Sequence, residues 1–117
     1  MPREYPRYVI FPAAEAVKVI ERVAMFADER SHAIRLTFAG EQFVVHSSIG
    51  ETGEAWGGIT VAEHNAAEGE VGLNAEYVLD FLRQTEGNVA FCWKDGKSST
   101  EFQTKDGWRY VVMPMRT

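Results

Sequence analysis

The chain is poor in cysteine, in long apolar runs and in positive charge. Cys92 is its only cysteine, which excludes an internal disulfide framework and suits a reducing compartment. No apolar run approaches the roughly 18 residues of a membrane span, and no basic start with a long apolar stretch indicates a secretory signal. The net charge of -5 argues against electrostatic attraction of nucleic acid by the chain as a whole. A locally basic face is still compatible with this charge. We therefore expect a soluble, cytoplasmic domain.

The residue spacings of a catalytic or metal site are also missing. His32, His46 and His64 are 14 and 18 residues apart, far from the short spacings of zinc ligands. Glu63 precedes His64 directly, so in a strand the two point to opposite faces and make a poor acid–base pair. Cys92 alternates with aromatic residues and is better explained as a small buried residue than as a nucleophile.

Four glycines between positions 50 and 58 do not form a phosphate-binding loop, because no Lys-Ser or Lys-Thr pair follows them. We expect no catalytic residue, no metal and no cofactor. Hydrophobic residues make up 45% of the chain, which is ordinary globular usage and enough to build a core. The length favours a single domain, 1–117, with residues 1–12 as an extended lead-in and first strand.

Two helices are predicted from apolar residues spaced three and four apart. The first spans Ala13–Ala27. The second spans Ala75–Arg83, with Asn74 as its N-cap. The buried stripes are predicted to be Val17, Ile20, Ala24 and Ala27 in the first helix and Val78, Leu79 and Leu82 in the second.

Strands and glycine turns fill the rest of the chain. A strand around Ile59 and Val61 is expected to bend or bulge at Gly57-Gly58. Turns are expected at Ala39-Gly40-Glu41, Lys94-Asp95-Gly96-Lys97 and Lys105-Asp106-Gly107. The other predicted strands are Tyr8–Phe11, Ala33–Phe38, Gln42–Ser47, Glu70–Leu73, Val89–Trp93, Ser99–Thr104 and Trp108–Met113.

The element order repeats: a strand, a helix and three strands occur twice, with a period of about 55 residues. This pattern predicts an α+β fold in which two β-α-β-β-β units form one antiparallel sheet with both helices on one face.

Three segments resemble one family: VAMFADERSHAIRLTF, EVGLNAEYVLDFL and the closing YVVMPMR. They are similar, in the same order, to the C-terminal third of the bacterial DNA polymerase III β subunit, the sliding clamp. The likeness runs from Tyr5 to Arg116. It implies the DNA clamp fold, in which three such domains form a chain and two chains close around duplex DNA, with the helices lining the hole. It also implies a processivity factor for DNA replication and repair, without catalytic activity, that binds DNA polymerase and other partners through short clamp-binding peptides.

The resemblance further implies that the C-terminal tail, 113–117, forms one wall of the peptide-binding cleft. Methionine suits a site that accepts varied side chains, and Pro114 limits the ordering cost of binding. The alternatives are a frayed chain end, a buried strand position for Val111, and a Tyr77 packed on the sheet. The implied peptide-binding residues are Pro6, Asn74, Tyr77, Ser99, Val111, Val112, Met113, Pro114, Met115 and Arg116.

The chain departs from the clamp pattern in three respects. It ends in Thr117 where many clamps end in leucine, its lead-in lacks a basic pair, and it has one domain where a clamp chain has three. The cleft is normally completed by the middle domain, so a half-site is expected. A stand-alone peptide-binding protein with the clamp fold therefore stays open as an alternative function.

Two further surfaces follow from the resemblance. Lys18, Arg22 and Arg83 match positions that face DNA phosphates without reading bases; the alternative is a solvated helix face. Met25, Phe26 and Glu54 match the corner that meets a second subunit; the alternative is that Phe26 packs in the local core. Unpaired strand edges and this corner together predict a weak homo-oligomer.

Overall fold

The computed structural model describes residues 7–27, 32–39, 42–49, 53–65, 68–94 and 99–115. Its two helices lie side by side and pack against strands of two antiparallel sheets. The elements, in chain order, are β1 Arg7–Pro12, α1 Ala13–Ala24, β2 Ala33–Ala39, β3 Gln42–Ile49, β4 Gly53–Ile59, β5 Glu63–His64, β6 Glu68–Asn74, α2 Ala75–Leu82, β7 Asn88–Trp93, β8 Thr100–Thr104 and β9 Arg109–Val112.

The predicted α+β class and the repeated order are confirmed, with the two-residue strand β5 as an addition. The sequence pattern predicts one sheet, whereas the described strands form two. Among the described residues they form a five-stranded sheet, β5-β1-β7-β8-β9, and a four-stranded sheet, β4-β3-β2-β6. The reason is an exchange of first strands, since β1 pairs with β7 of the second unit and β6 pairs with β2 of the first. Each sheet therefore contains strands from both units.

Aromatic side chains join the two sheets. Phe38 of the four-stranded sheet stacks on Trp93 of the five-stranded sheet, with ring centroids 4.2 Å apart. Phe43 meets Phe11 edge to face, at 5.0 Å. Gly69 lies under Trp93, where a Cβ atom would come within 2.8 Å of the indole Nε1. Both sheets thus share one hydrophobic core.

The buried face of α1 differs from the predicted stripe. The helix ends at Ala24, three residues before the predicted end. Ile20 is buried as predicted, and Ala27 is buried beyond the helix, but Val17 and Ala24 are only partly buried. The helix packs on β3 and β4 and beside α2, so its buried side is set by these neighbours as well as by its own periodicity. The buried residues of α1 are Ala13, Ala16, Val19, Ile20 and Val23. The predicted stripe of α2 is confirmed in full.

Strand β4 shows no bulge at its glycine pair. Val45 pairs with Gly57 and Val44 with Gly58, without a skipped residue, and the strand ends at Ile59 before Val61. The predicted turn at Lys105-Asp106-Gly107 is present, and Gly107 adopts a φ of +94° that favours glycine. The other two predicted turns lie partly outside the described residues.

Candidate interaction surfaces

The C-terminal segment is held against the fold as far as Met115. Val112 is buried, and its carbonyl accepts a hydrogen bond from Thr100 Oγ1 at 2.8 Å. Beyond it Met113 is 65% exposed, while Pro114 and Met115 are half-buried. The Met115 amide donates to the Gly72 carbonyl at 2.7 Å. A backbone hydrogen bond of this length is not expected of a frayed end, and it fixes the apolar tail beside β6.

Helix α2 begins close to Gly72, where the tail is held. Asn74, two residues after Gly72, caps the helix through Oδ1, which accepts from the amides of Glu76 at 2.9 Å and Tyr77 at 3.4 Å. Such a cap contributes about 1 kcal/mol to stability. Tyr77 is 56% exposed, so most of its ring is not packed on the sheet. The first turn of α2, with the exposed Tyr77, therefore begins three residues after Gly72, the point where the tail is held.

Strand β9 contains two of the predicted peptide-binding residues, Val111 and Val112, whose side chains point to opposite faces of the sheet. Val111 is exposed and Val112 is buried, so the alternative of a buried Val111 is wrong. Thr100 pairs with Val112, and this antiparallel register brings the half-buried Ser99 to the side of Met113. Asn74, Tyr77, Ser99 and residues 111–115 thus come together at one end of the sheet. Pro6 and Arg116 lie outside the described residues.

An aromatic contact between α2 and β9 was not predicted. The rings of Phe81 and Tyr110 stack with centroids 5.0 Å apart. Burial raises the pKa of Tyr110, and the charge of Asp80 raises it further. Phe81 also lines, together with Trp108, a cleft of about 780 Å³. Tyr77 and Phe81 are four residues apart and so lie on one face of α2. This spacing is the signal in the sequence that could have indicated an aromatic surface on the helix.

The three predicted DNA-facing cations lie on the helices but are not equivalent. Lys18 and Arg22 are exposed on α1. Arg83, at the end of α2, donates from Nη2 to Glu21 Oε2 at 2.9 Å and so joins the two helices. Its charge is therefore partly offset by a neighbour.

The corner predicted to meet a second subunit is assembled at the end of α1. Met25 is 77% exposed and Phe26 is also exposed, so Phe26 does not belong to the core. The ring of Phe26 lies beside Gly53, the first residue of β4, where a Cβ atom would be 3.7 Å from Cδ1. The adjacent Glu54 pairs with His46, with Oε1 and Nε2 3.5 Å apart.

Trp56 belongs to the same corner and was missed by the sequence reasoning. It lies two residues after Glu54 on the exposed face of β4, and its ring contacts that of His46 at 5.1 Å. Alternation along the strand, with Trp56 on the same side as the charged Glu54, is the signal that could have identified it.

The thiol of Cys92 is buried and poorly suited to nucleophilic chemistry. Burial raises its pKa to about 12, and the neighbouring charge of Glu101 adds to the shift. Within the described ranges, no group of three or more His, Cys, Asp or Glu side chains could hold a metal ion. Nor does any helix there have the length and apolar character needed to cross a membrane.

Comparison with known proteins identifies the family of this chain. The profile of the DNA polymerase III beta subunit, C-terminal domain, matches residues 1–116. The beta sliding clamp of Haemophilus influenzae is 30% identical over 126 residues, which cover 96% of this chain and 34% of that protein.

Solved structures agree with this assignment. The crystal structure of the Pseudomonas aeruginosa sliding clamp has a TM-score of 0.88 and 30% identity, and it covers all of this chain and 33% of that one. A second structure of the P. aeruginosa clamp, bound to griselimycin, has a TM-score of 0.89, 30% identity and coverage of 100% and 32%. This chain spans about a third of the length of these relatives. The clamp resemblance of the sequence is thereby confirmed: the chain belongs to the family formed by the C-terminal domain of the DNA polymerase III β subunit.

Proposed function

We propose that this chain works in the cytoplasm as one domain, 1–117, of a DNA sliding clamp, a non-catalytic processivity factor without a cofactor. Joined with further clamp domains in a ring around duplex DNA, it would tether DNA polymerase and repair proteins by their short clamp-binding peptides. Family membership supports the role, and the fixed, exposed apolar tail is the observation that carries it.

The peptide site consists of Asn74, Tyr77, Ser99 and the segment 111–115, extended by Pro6 and Arg116. Exposed Met113 and Tyr77 offer apolar area to an incoming side chain. The hydrogen bond from Met115 to Gly72 holds the tail in place before a peptide arrives, which lowers the ordering cost of binding. Val112 is buried and acts by anchoring the tail rather than by contact. The griselimycin-bound structure of the P. aeruginosa clamp, a relative over this whole length, is consistent with a ligand-binding role.

The DNA-facing role falls to Lys18, Arg22 and Arg83, with Arg83 contributing least because of its pair with Glu21. Contacts of this kind are weak, independent of base sequence and lowered by salt. We infer that they act only when several domains surround the duplex. The corner of Met25, Phe26 and Glu54 is the proposed contact with a neighbouring subunit, since its apolar side chains are exposed in this chain.

Titration with a clamp-binding peptide tests the peptide site. The peptide begins with glutamine, continues with apolar residues and has an aromatic residue near its end. We expect weak binding, with chemical-shift changes in the NMR spectrum at Tyr77 and Met113, because the residues of this domain form one wall of the proposed cleft. Tyr77→Ala and Met113→Ala should each weaken binding about tenfold, the loss expected for an exposed apolar contact of about 1.4 kcal/mol.

One variant serves as the control for this titration. Lys18→Ala changes an exposed residue on α1 and should bind the peptide like the wild type. Shift changes confined to other surfaces, or unaltered in Met113→Ala, would show that the tail is not the peptide site.

A further inference from the structure

A cleft of about 780 Å³ lies between the end of helix α2 and the turn that joins β8 to β9. Its volume is within the usual range of ligand sites. Trp108 lines the cleft and directly precedes β9, whereas Met113 of the tail directly follows that strand. Five residues of extended chain span about 17 Å, so the cleft is separate from the proposed peptide site.

Hydrogen bonds hold the wall that follows α2 in place. Thr85 Oγ1 donates to the Phe81 carbonyl in the last turn of the helix, at 2.9 Å. Two residues later, the Gly87 carbonyl accepts from the Ala13 amide, also at 2.9 Å, which ties this segment to the start of α1. The wall is therefore fixed at both of these points.

The opposite wall is a closed turn. The Trp108 amide donates to Thr104 Oγ1 at 3.2 Å, and the Thr104 amide donates to the Trp108 carbonyl at 3.0 Å. The Gly107 amide donates to the Thr104 carbonyl at 3.2 Å. Both walls are thus in place before a ligand arrives, which lowers the ordering cost of binding.

Trp108 offers the cleft an open aromatic face. Its side chain is 71% exposed, and its ring stacks on none of the other aromatic rings in the described part of the chain. Phe81, in contrast, already stacks on Tyr110. An indole in water contributes little to the stability of a fold, whereas in a binding site it is a frequent source of affinity.

The charged groups of the cleft favour a cation. Glu86 and Asp106 bring exposed carboxylates from the two walls, against the single ammonium of Lys105. Neither carboxylate forms an ion pair with another described residue. The net charge of -5 of the whole chain acts in the same direction. A phosphate-bearing ligand is therefore disfavoured here, and a positively charged one is attracted.

We propose that this cleft is a docking site for an arginine side chain on an extended segment of a partner protein. A guanidinium group is planar, so it can stack on the indole of Trp108 while its N–H groups donate to Glu86 or Asp106. Lysine lacks the flat group and would gain less from the tryptophan. The inference rests on the cleft and does not depend on the proposed peptide site.

The rest of the lining suits a peptide better than a free amino acid. An arginine side chain by itself fills only part of the cleft. Gln84 and Asn88 also line it, and their side-chain amides can form hydrogen bonds with the backbone of the residues that flank the arginine.

NMR titration of the full chain with the peptide acetyl-Gly-Gly-Arg-Gly-Gly-amide tests the proposal. We expect weak, saturable shifts of the Gly87 and Gly107 amide signals and of the Trp108 indole signal. The same peptide with citrulline, which keeps the shape of arginine without its charge, should cause no saturable shift. The lysine peptide should bind about threefold more weakly than the arginine peptide, because it stacks less well on the indole.

Substitutions in the cleft separate specific docking from general attraction to an acidic chain. Trp108→Ala should weaken binding of the arginine peptide about fivefold. Glu86→Gln and Asp106→Asn should each weaken it about threefold. Glu68→Gln removes an equal charge from an exposed position on β6 and is the matched control, which should bind like the wild type. The dispersion of the amide signals checks that each variant is folded, and the two carboxylate variants decide the matter if Trp108→Ala is unfolded.

Four results would overturn the proposal. The first is the absence of saturable shifts, or equal binding of the citrulline peptide. The second is a loss of binding in Glu68→Gln as large as in Glu86→Gln, which would indicate attraction by net charge alone. The third is a decathymidylate that shifts Gly87 and Gly107 where the arginine peptide does not, which would indicate a nucleic-acid site.

The fourth is a set of shifts at Gly87 and Gly107 that depends on protein concentration without any peptide, which would show that a second copy of the chain covers the cleft. None of these results bears on peptide binding at Tyr77 and Met113, which are monitored by their own signals.

Discussion

At the scale of single residues, Cys92 shows how position decides chemistry. Its thiol is fully buried in β7, paired in register with Glu101 on β8. Burial disfavours the thiolate, and the negative neighbour disfavours it further, so the pKa rises from 9.0 to about 12. At neutral pH, the Cys92 side chain therefore stays protonated and serves to pack the interior.

This pKa shift predicts a loss of stability in alkali. The unfolded thiol ionises near its ordinary pKa, whereas the folded thiol keeps its proton to a higher pH. Its contribution to the free energy of unfolding is complete below pH 9 and is lost as pH rises toward about 12.

Urea unfolding of the wild type and of Cys92→Ala at several pH values measures this effect. The wild type should lose more stability than the variant between about pH 8 and about pH 11, as the unfolded thiol ionises and the folded thiol does not. Equal losses in the two proteins would show that Cys92 does not titrate differently on folding.

At the scale of elements, the approach of α1 to β4 depends on one glycine. A Cβ atom on Gly57 would lie 2.5 Å from Val19 Cγ1 and 3.2 Å from Val23 Cγ2. Both valines are buried, so they have little freedom to move aside. At Gly58, the next residue, an added Cβ atom would meet nothing within 4 Å.

Alanine at these two positions gives a matched pair. Gly57→Ala should destabilise the fold by about 1–3 kcal/mol, the usual cost of overpacking a core. Gly58→Ala should change stability by less than about 0.5 kcal/mol, as expected for a surface substitution without a clash. Thermal and urea unfolding measure both, and equal effects would contradict the close packing of α1 on β4.

At the scale of the whole molecule, charge limits what one copy can do. The chain carries a net charge of -5, and only a few cations lie on the helix faces. Any DNA binding by the chain alone should therefore be weak and should disappear near physiological salt.

Fluorescence anisotropy with duplex DNA at increasing salt concentration checks this expectation. At low salt, replacing Lys18 and Arg22 together by alanine should remove most of the binding. Arg83→Ala should remove less, because Glu21 already offsets its charge. A salt-resistant or sequence-selective complex would contradict a clamp-type contact with DNA.

Local interactions explain what the sequence by itself determined. The order of the elements, the cap at Asn74 and the buried stripe of α2 depend on neighbours a few residues away, and all were predictable. The clamp family was also identifiable, because its characteristic segments are contiguous. The tail was marked as a functional surface by its apolar composition together with that resemblance.

Only the tertiary structure decided how these parts meet. Three features depend on partners far away in the chain. They are the exchange of β1 and β6 between the sheets, the burial of Val19 and Val23 on the inner face of α1, and the exposure of Val111. Alternation along a strand shows that two faces exist but not which face is covered. The cleft between Phe81 and Trp108 became visible for the same reason: its walls come from two segments that only the fold brings together.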